Sequence, residues 1–144
     1  MSSKSKVYFF FDKITVSLKN RKILKRYIEL IFQKEGKKLD CLNYIFCSDA
    51  RLRQINKDYL KHDYYTDIIT FDLSEPGSPV SADIYISVER VKENAEKLGI
   101  SFNNEVHRVL FHGVLHLCGF GDKNEREVKR IREKEDFYLV GYFK

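Results

Sequence analysis

Cysteine is scarce and poorly spaced for cross-linking. Cys41, Cys47 and Cys118 form no Cys-x-x-Cys pair and leave an odd count, which excludes a disulfide framework and a thiolate zinc site. All three are expected to be reduced core residues, with Cys118 about 200° around its helix from His116 and facing away from it. No apolar run approaches the length of a membrane span, so no membrane partner is expected. The polar start Met1-Ser2-Ser3-Lys4-Ser5-Lys6 precedes only a short apolar strand. It lacks the core of a secretory signal, and a cytoplasmic location is the expectation. Internal repeats, low-complexity tracts and linkers are absent, and both prolines, Pro76 and Pro79, fall in one turn. A single domain over residues 1–144 is expected, large enough to bury a core without disulfides.

Charge is unevenly placed. Residues 1–40 hold eleven Lys/Arg against four Asp/Glu and the remainder fifteen against seventeen, so the net +5 arises in the first third of the chain. A basic patch there can meet a polyanion such as RNA; the alternative is a solvated helix face with ordinary lysines. From about Asn20 to Glu35, Ile23, Leu24, Tyr27, Ile28, Ile31 and Phe32 recur at helical spacing and Gly36 closes the segment. Arg21, Lys22, Lys25 and Arg26 cluster toward the start of that helix, where cations oppose the macrodipole, which favours a role in binding over one in stability.

The other segments alternate strand and helix. Residues 7–11 read as a strand, and the unbroken apolar run 8–11 predicts cover on both faces. Residues 41–47 form a second strand, after which Ser48 or Asp49 caps a short helix through Leu52, Ile55 and Tyr59. A polar, aromatic loop at 61–65 leads to a β-branched third strand at 66–72. After the turn at 75–79, residues 82–87 alternate as a fourth strand, expected to pair with the third as a hairpin. Ser87 caps a helix carrying Val88, Val91, Ala95 and Leu98 and ended by Gly99, and Ser101 caps the next. Asn124, with Glu127 three residues on, opens a charged last helix reaching Tyr138. The expected fold is α+β, a small four-stranded mixed sheet covered by about five helices.

The run His112-Gly113-Val114-Leu115-His116-Leu117-Cys118-Gly119-Phe120-Gly121-Asp122 carries the chemistry. Histidines four apart on a helix differ by about 40° of rotation and about 6 Å of rise, so both rings leave one face and one divalent ion can bridge them. Gly119 lies just past the apolar pattern, where positive φ ends the helix and returns Asp122 toward the rings. Two imidazoles, a carboxylate and an open fourth position suit a catalytic Zn2+ held by His112, His116 and Asp122 at the end of the helix. The alternative is a chance pair on a half-buried helix. Val106, Val109, Leu110, Gly113, Val114 and Leu117 form the buried stripe, whereas Glu105 and Arg108 precede His112 along its own face. Glu105 lies about 10 Å along the axis from His112, too far for a base and better suited to support. His62 is a loop residue that can border the cleft; His107 lies away from the metal face. The spacing also repeats the HExxHxxGxxH/D pattern of metzincin peptidases, but Gly113 stands where their general-base glutamate stands.

With its flanks, this run resembles the HGxLHLxGY signature of the YbeY family of bacterial endoribonucleases. Residues 55–122 follow the family's order: an Asn and Tyr on the short helix, Thr66-Asp67 opening a strand, Asp-Ile-x-Ile-Ser at 83–87, then the metal helix. The resemblance implies a small α+β metalloprotein with zinc on three side chains. It also implies action on single-stranded RNA in ribosomal RNA maturation and ribosome quality control, and association with the small ribosomal subunit. The chain departs from the family's usual GYDH ending, with Gly121 for the Asp and Asp122 for the His. It has Leu60 for the family's usual Arg, with Lys61 one position away; Lys and Arg are not equivalent at a phosphate.

The leading expectation is therefore a metal-dependent hydrolase of RNA, with zinc polarising a phosphate oxygen or activating water and Arg108 or Lys61 steadying phosphate charge. The general base is unassigned; Thr66 and Asp67 are expected to cap or orient their strand. The alternatives are a zinc peptidase, against which Gly113 argues, and a non-catalytic ribosome-assembly or RNA-binding factor with a structural metal. Reversing Arg21, Lys22 and Arg26 to glutamate is expected to weaken RNA binding and its dependence on salt, measured as affinity across a salt series. Equal affinity in variant and wild type across that series would make these charges bystanders.

Overall fold

A computed structural model describes residues 4–144, so Met1-Ser2-Ser3 of the polar start lie outside the described residues. The elements in chain order are β1 (Val7–Phe11), α1 (Arg21–Lys34), β2 (Leu39–Cys47), α2 (Asp49–Leu60), β3 (Ile68–Asp72), β4 (Val80–Ser87), α3 (Val88–Leu98), α4 (Phe102–Leu117) and α5 (Glu125–Tyr142). The sheet runs β1-β2-β4-β3, parallel between β1, β2 and β4 and antiparallel between β3 and β4. The expected α+β class, mixed four-stranded sheet and β3/β4 pairing are what the chain forms. No helix among the described residues is long and apolar enough to cross a membrane.

Side-chain caps set most helix starts. Ser48, Ser87, Ser101 and Asn124 each accept from the backbone N–H three residues on, satisfying donors that the first turn leaves free. Asp49, the alternative cap for α2, instead pairs with Arg90 at 2.7 Å. Helix α1 has no side-chain cap; Asn20 precedes it in the left-handed region.

Register places Val7, Leu42 and Ala82 in one row and Phe9, Tyr44 and Ile84 in another, on the face that packs against the helices. The opposite face carries Tyr8, Asn43 and Asp83, with α2 covering the β3/β4 end as its Leu52 and Ile55 cluster with Ile69 of β3. The expectation that β1 is covered on both faces is corrected here. β1 is an edge strand, and Tyr8 and Phe10 are 41% and 49% exposed. Cations from α1 lie over its rings, with Arg21 4.8 Å from the Phe11 centroid and Lys25 5.8 Å from that of Tyr8. β2 and β4 each begin two residues before their expected starts and β3 two residues after; 66–67 enter the strand from a bend.

Helix α4 is the element against which the others are arranged. A Cβ on Gly113 would lie 2.7 Å from Ile84 Cδ1 and 3.2 Å from Ile68 Cδ1, so the missing side chain lets the helix approach β3 and β4. The position therefore faces the sheet and has no room for the glutamate of a peptidase motif. Gly113→Val should destabilise the fold by about 1–3 kcal/mol through overpacking, read from denaturant midpoints; an unchanged midpoint would show that the helix can back away freely.

Candidate metal centre

The turn after α4 assembles the site. Gly119, at φ 101°, donates its N–H to the His116 carbonyl at 3.0 Å, and Phe120 donates to the Leu115 carbonyl at 3.0 Å, the paired bonds of a Schellman cap. The reversed chain carries the Phe120 carbonyl to 2.8 Å from His116 Nδ1. Asp122 Oδ2 then lies 3.2 Å from His116 Nε2 and 3.5 Å from His112 Nε2. On the other side, α5 brings Glu135 Oε2 to 2.6 Å from His112 Nδ1. A carbonyl and a carboxylate accept, so each neutral ring carries its proton on Nδ1 and turns the Nε2 lone pair toward Asp122.

Ligand atoms of His112, His116 and Asp122 all lie within 4.8 Å of one another. The two Nε2 to Oδ2 separations, 3.2 and 3.5 Å, bracket the roughly 3.3 Å between ligands bound at about 2.0–2.1 Å to a tetrahedral ion. Two imidazoles and a carboxylate suit a borderline-soft divalent ion with a fourth position open. The Nδ1 partners are of the kind that orient metal-binding imidazoles.

A buried ion pair stands behind His112. Glu135, 3% exposed, receives Arg108 Nη1 at 2.9 Å on its second oxygen, and Arg108 Nη2 reaches Asp136 at 2.9 Å. Burial alone would lower the His112 pKa, but the hydrogen bond and charge of Glu135, aided by Asp122 and Asp67, outweigh it and the value is raised. Burial pushes up the carboxyl groups of Asp67 and Glu105.

The profile of the family described as Endoribonuclease YbeY matches residues 9–142. The chain belongs to the YbeY family. An endoribonuclease YbeY from Cytophaga hutchinsonii is 46% identical over 133 residues, covering 92% of this chain and 93% of its own. One from Parabacteroides distasonis is 40% identical over 134 residues, covering 93% and 94%. The solution structure of TM1509 from Thermotoga maritima superposes with a TM-score of 0.65 at 29% identity, covering 95% of this chain and 89% of that one.

Within this YbeY family member, Gly121 and Asp122, which depart from the GYDH ending, are linked by the loop. A Cβ on Gly121 would lie 2.7 Å from Glu127 Oε1, which accepts the Lys123 N–H at 2.9 Å. The bare glycine leaves room for that bond, which folds the loop carrying Asp122. Leu60, at the family's Arg position, lines a cavity reaching His112, His116 and Asp122, as does Tyr64. Lys61 ends α2 in the left-handed region at φ 60°, is exposed, and is not among that cavity's lining residues. Arg108 lines the neighbouring cavity with its guanidinium already held by carboxylates. His62 stacks on Tyr64 at 5.3 Å. His107 is buried against Tyr142 and Phe143, and Nδ1 donates to the Asn103 carbonyl at 2.6 Å. Cys118 packs on the core, and burial pushes its thiol up to about 12.

Sequence reasoning missed Glu135. Its partners lie 23 and 27 positions away, but one local signal existed: an acid occupies the apolar stripe between Ile131 and Tyr138. Glu135→Gln should lower affinity for a divalent ion at this cluster about 10–100-fold in chelator competition; equal affinity would reduce Glu135 to packing. In metal-free protein, a raised imidazole pKa adds stability below the ordinary value of about 6.5 that disappears as pH rises through the raised one. The wild-type unfolding midpoint should therefore fall over that window more than the variant's.

Proposed function

We propose that this chain is a zinc-dependent, single-strand-specific endoribonuclease of ribosomal RNA maturation. It acts on the 3′ end of the small-subunit RNA and in ribosome quality control, in association with the small subunit in the cytoplasm. The observation that carries the reading is the convergence of two oriented Nε2 atoms and one carboxylate oxygen in a chain whose relatives are named endoribonucleases. Held by His112, His116 and Asp122, a zinc ion would supply polarisation of a phosphate oxygen or of the attacking water.

The chain's own residues do the rest. Glu135 and the Phe120 carbonyl keep His112 and His116 in the ligating tautomer. Asp122 adds a full negative charge where the family pattern has a neutral imidazole, which lowers the Lewis acidity of the centre. Lys61, exposed beside the cavity-lining Leu60, supplies positive charge for the phosphate. Arg108 acts on the phosphate side through the orientation it gives His112 by holding Glu135.

Metal analysis combined with a nuclease assay tests this reading. Wild type should hold about one zinc per chain and cut single-stranded RNA. His116→Ala and Asp122→Ala should lose zinc retention, with cleavage falling about a hundredfold or more. Wild type purified without tightly bound metal would overturn the metal assignment. RNA bound but left intact, with or without zinc, would leave an assembly factor with a structural ion.

A further inference from the structure

Two cavities flank the candidate metal centre and share Asp67, Ile68, His112 and Asp122. A strand whose phosphodiester lies at the His112/Asp122 edge therefore has one cavity on either side. The cavity bordered by α3, α4 and α5 has a volume of about 460 Å³ and offers apolar surface from Leu98, Val109 and Val128. Among these it also carries Glu105.

Glu105 is 4% exposed and its Oε1 has no hydrogen-bond partner. The Nε of Arg108 stands 3.9 Å away, outside hydrogen-bond reach, and the other Arg108 nitrogens are held by Glu135 and Asp136. Asp67, on the same cavity, takes a long contact from Asn94 on Oδ2, at 3.5 Å. Buried acceptors are normally paired, so an unpaired carboxylate oxygen on a residue that lines a cavity is open to an N–H from outside the chain once the side chain turns into that cavity.

Phosphate is the wrong ligand here, because two carboxylates repel it. A nucleobase meets both requirements, with a flat apolar body for the walls and N–H groups on its edge. Guanine presents two neighbouring donors, N1–H and the N2 amino group, which match the two oxygens of one carboxylate; adenine, cytosine and uracil each present one donor group. Lys97 and Arg132, both exposed on the same cavity, suit the backbone that delivers the base.

We propose that this cavity seats a guanine adjoining the cleaved phosphodiester, with Glu105 accepting from its N1–H and N2 edge. The assignment rests on the RNA-cleaving reading and deepens it into a base preference. It is tested by binding of the zinc-loaded protein to 2′-O-methyl oligouridines carrying one central G, inosine, A or C, followed by fluorescence anisotropy. The G strand should bind about tenfold more tightly than the A strand, with inosine, which lacks the N2 amino group, between them. Glu105→Gln should flatten the series. Leu98→Trp, which fills the cavity from an exposed position, should bring the G strand to the level of plain oligouridine with zinc content unchanged. Equal binding of G and A strands by wild type, or a G preference that survives in Glu105→Gln, would overturn the assignment while leaving RNA cleavage standing. If no strand binds and no RNA is cut, the RNA reading fails and the base assignment with it.

Discussion

Burying a carboxylate is costly unless its oxygens are occupied, and Glu135 has both of its oxygens taken by two residues of a single helix. Arg108 takes one oxygen and His112 the other, so α5 is keyed onto α4 by a charged contact as well as by apolar packing. The same contact determines which nitrogen of His112 is free. Ring orientation at the candidate metal centre is thus a by-product of how the last helix docks, and neither can shift without disturbing the other.

The remaining geometry follows from the sheet. A bare Gly113 lets α4 settle close to β3 and β4, which fixes the height at which His112 and His116 stand above the sheet. The cap at Gly119 then turns the chain so that one short loop supplies both the carbonyl that orients His116 and the carboxylate that completes the cluster. Each candidate ligand atom is thereby referred to a rigid element. The loop itself is tied down by Glu127, whose carboxylate accepts the Lys123 N–H beneath Gly121.

Local features were legible in the sequence. Ser87, Ser101 and Asn124 act as caps where their positions indicated, and the residues read as ligands from their spacing do meet in space. What escaped was tertiary. Glu135 gains its meaning from residues two dozen positions away, and the engagement of Arg108 by Glu135 and Asp136 is invisible to helical periodicity. The cover on β1 was misjudged because an apolar run reads the same in a central strand and at an edge whose outer rings stay half exposed. Strand starts moved by two residues because pairing with a neighbour, rather than composition, decides where a strand begins. The unpaired Oε1 of Glu105 belongs to the same class: spacing put this residue on the ligand face, but only packing reveals an acceptor without a donor.

The cations laid over β1 have a consequence for the protein's behaviour among its own copies. An edge strand with open backbone groups and half-exposed aromatic rings is a template for sheet-to-sheet pairing. Arg21 and Lys25 stand over the rings of Phe11 and Tyr8, so two such edges approaching each other bring like charges together before their backbones can meet. Those two cations therefore oppose the pairing of one β1 edge with another.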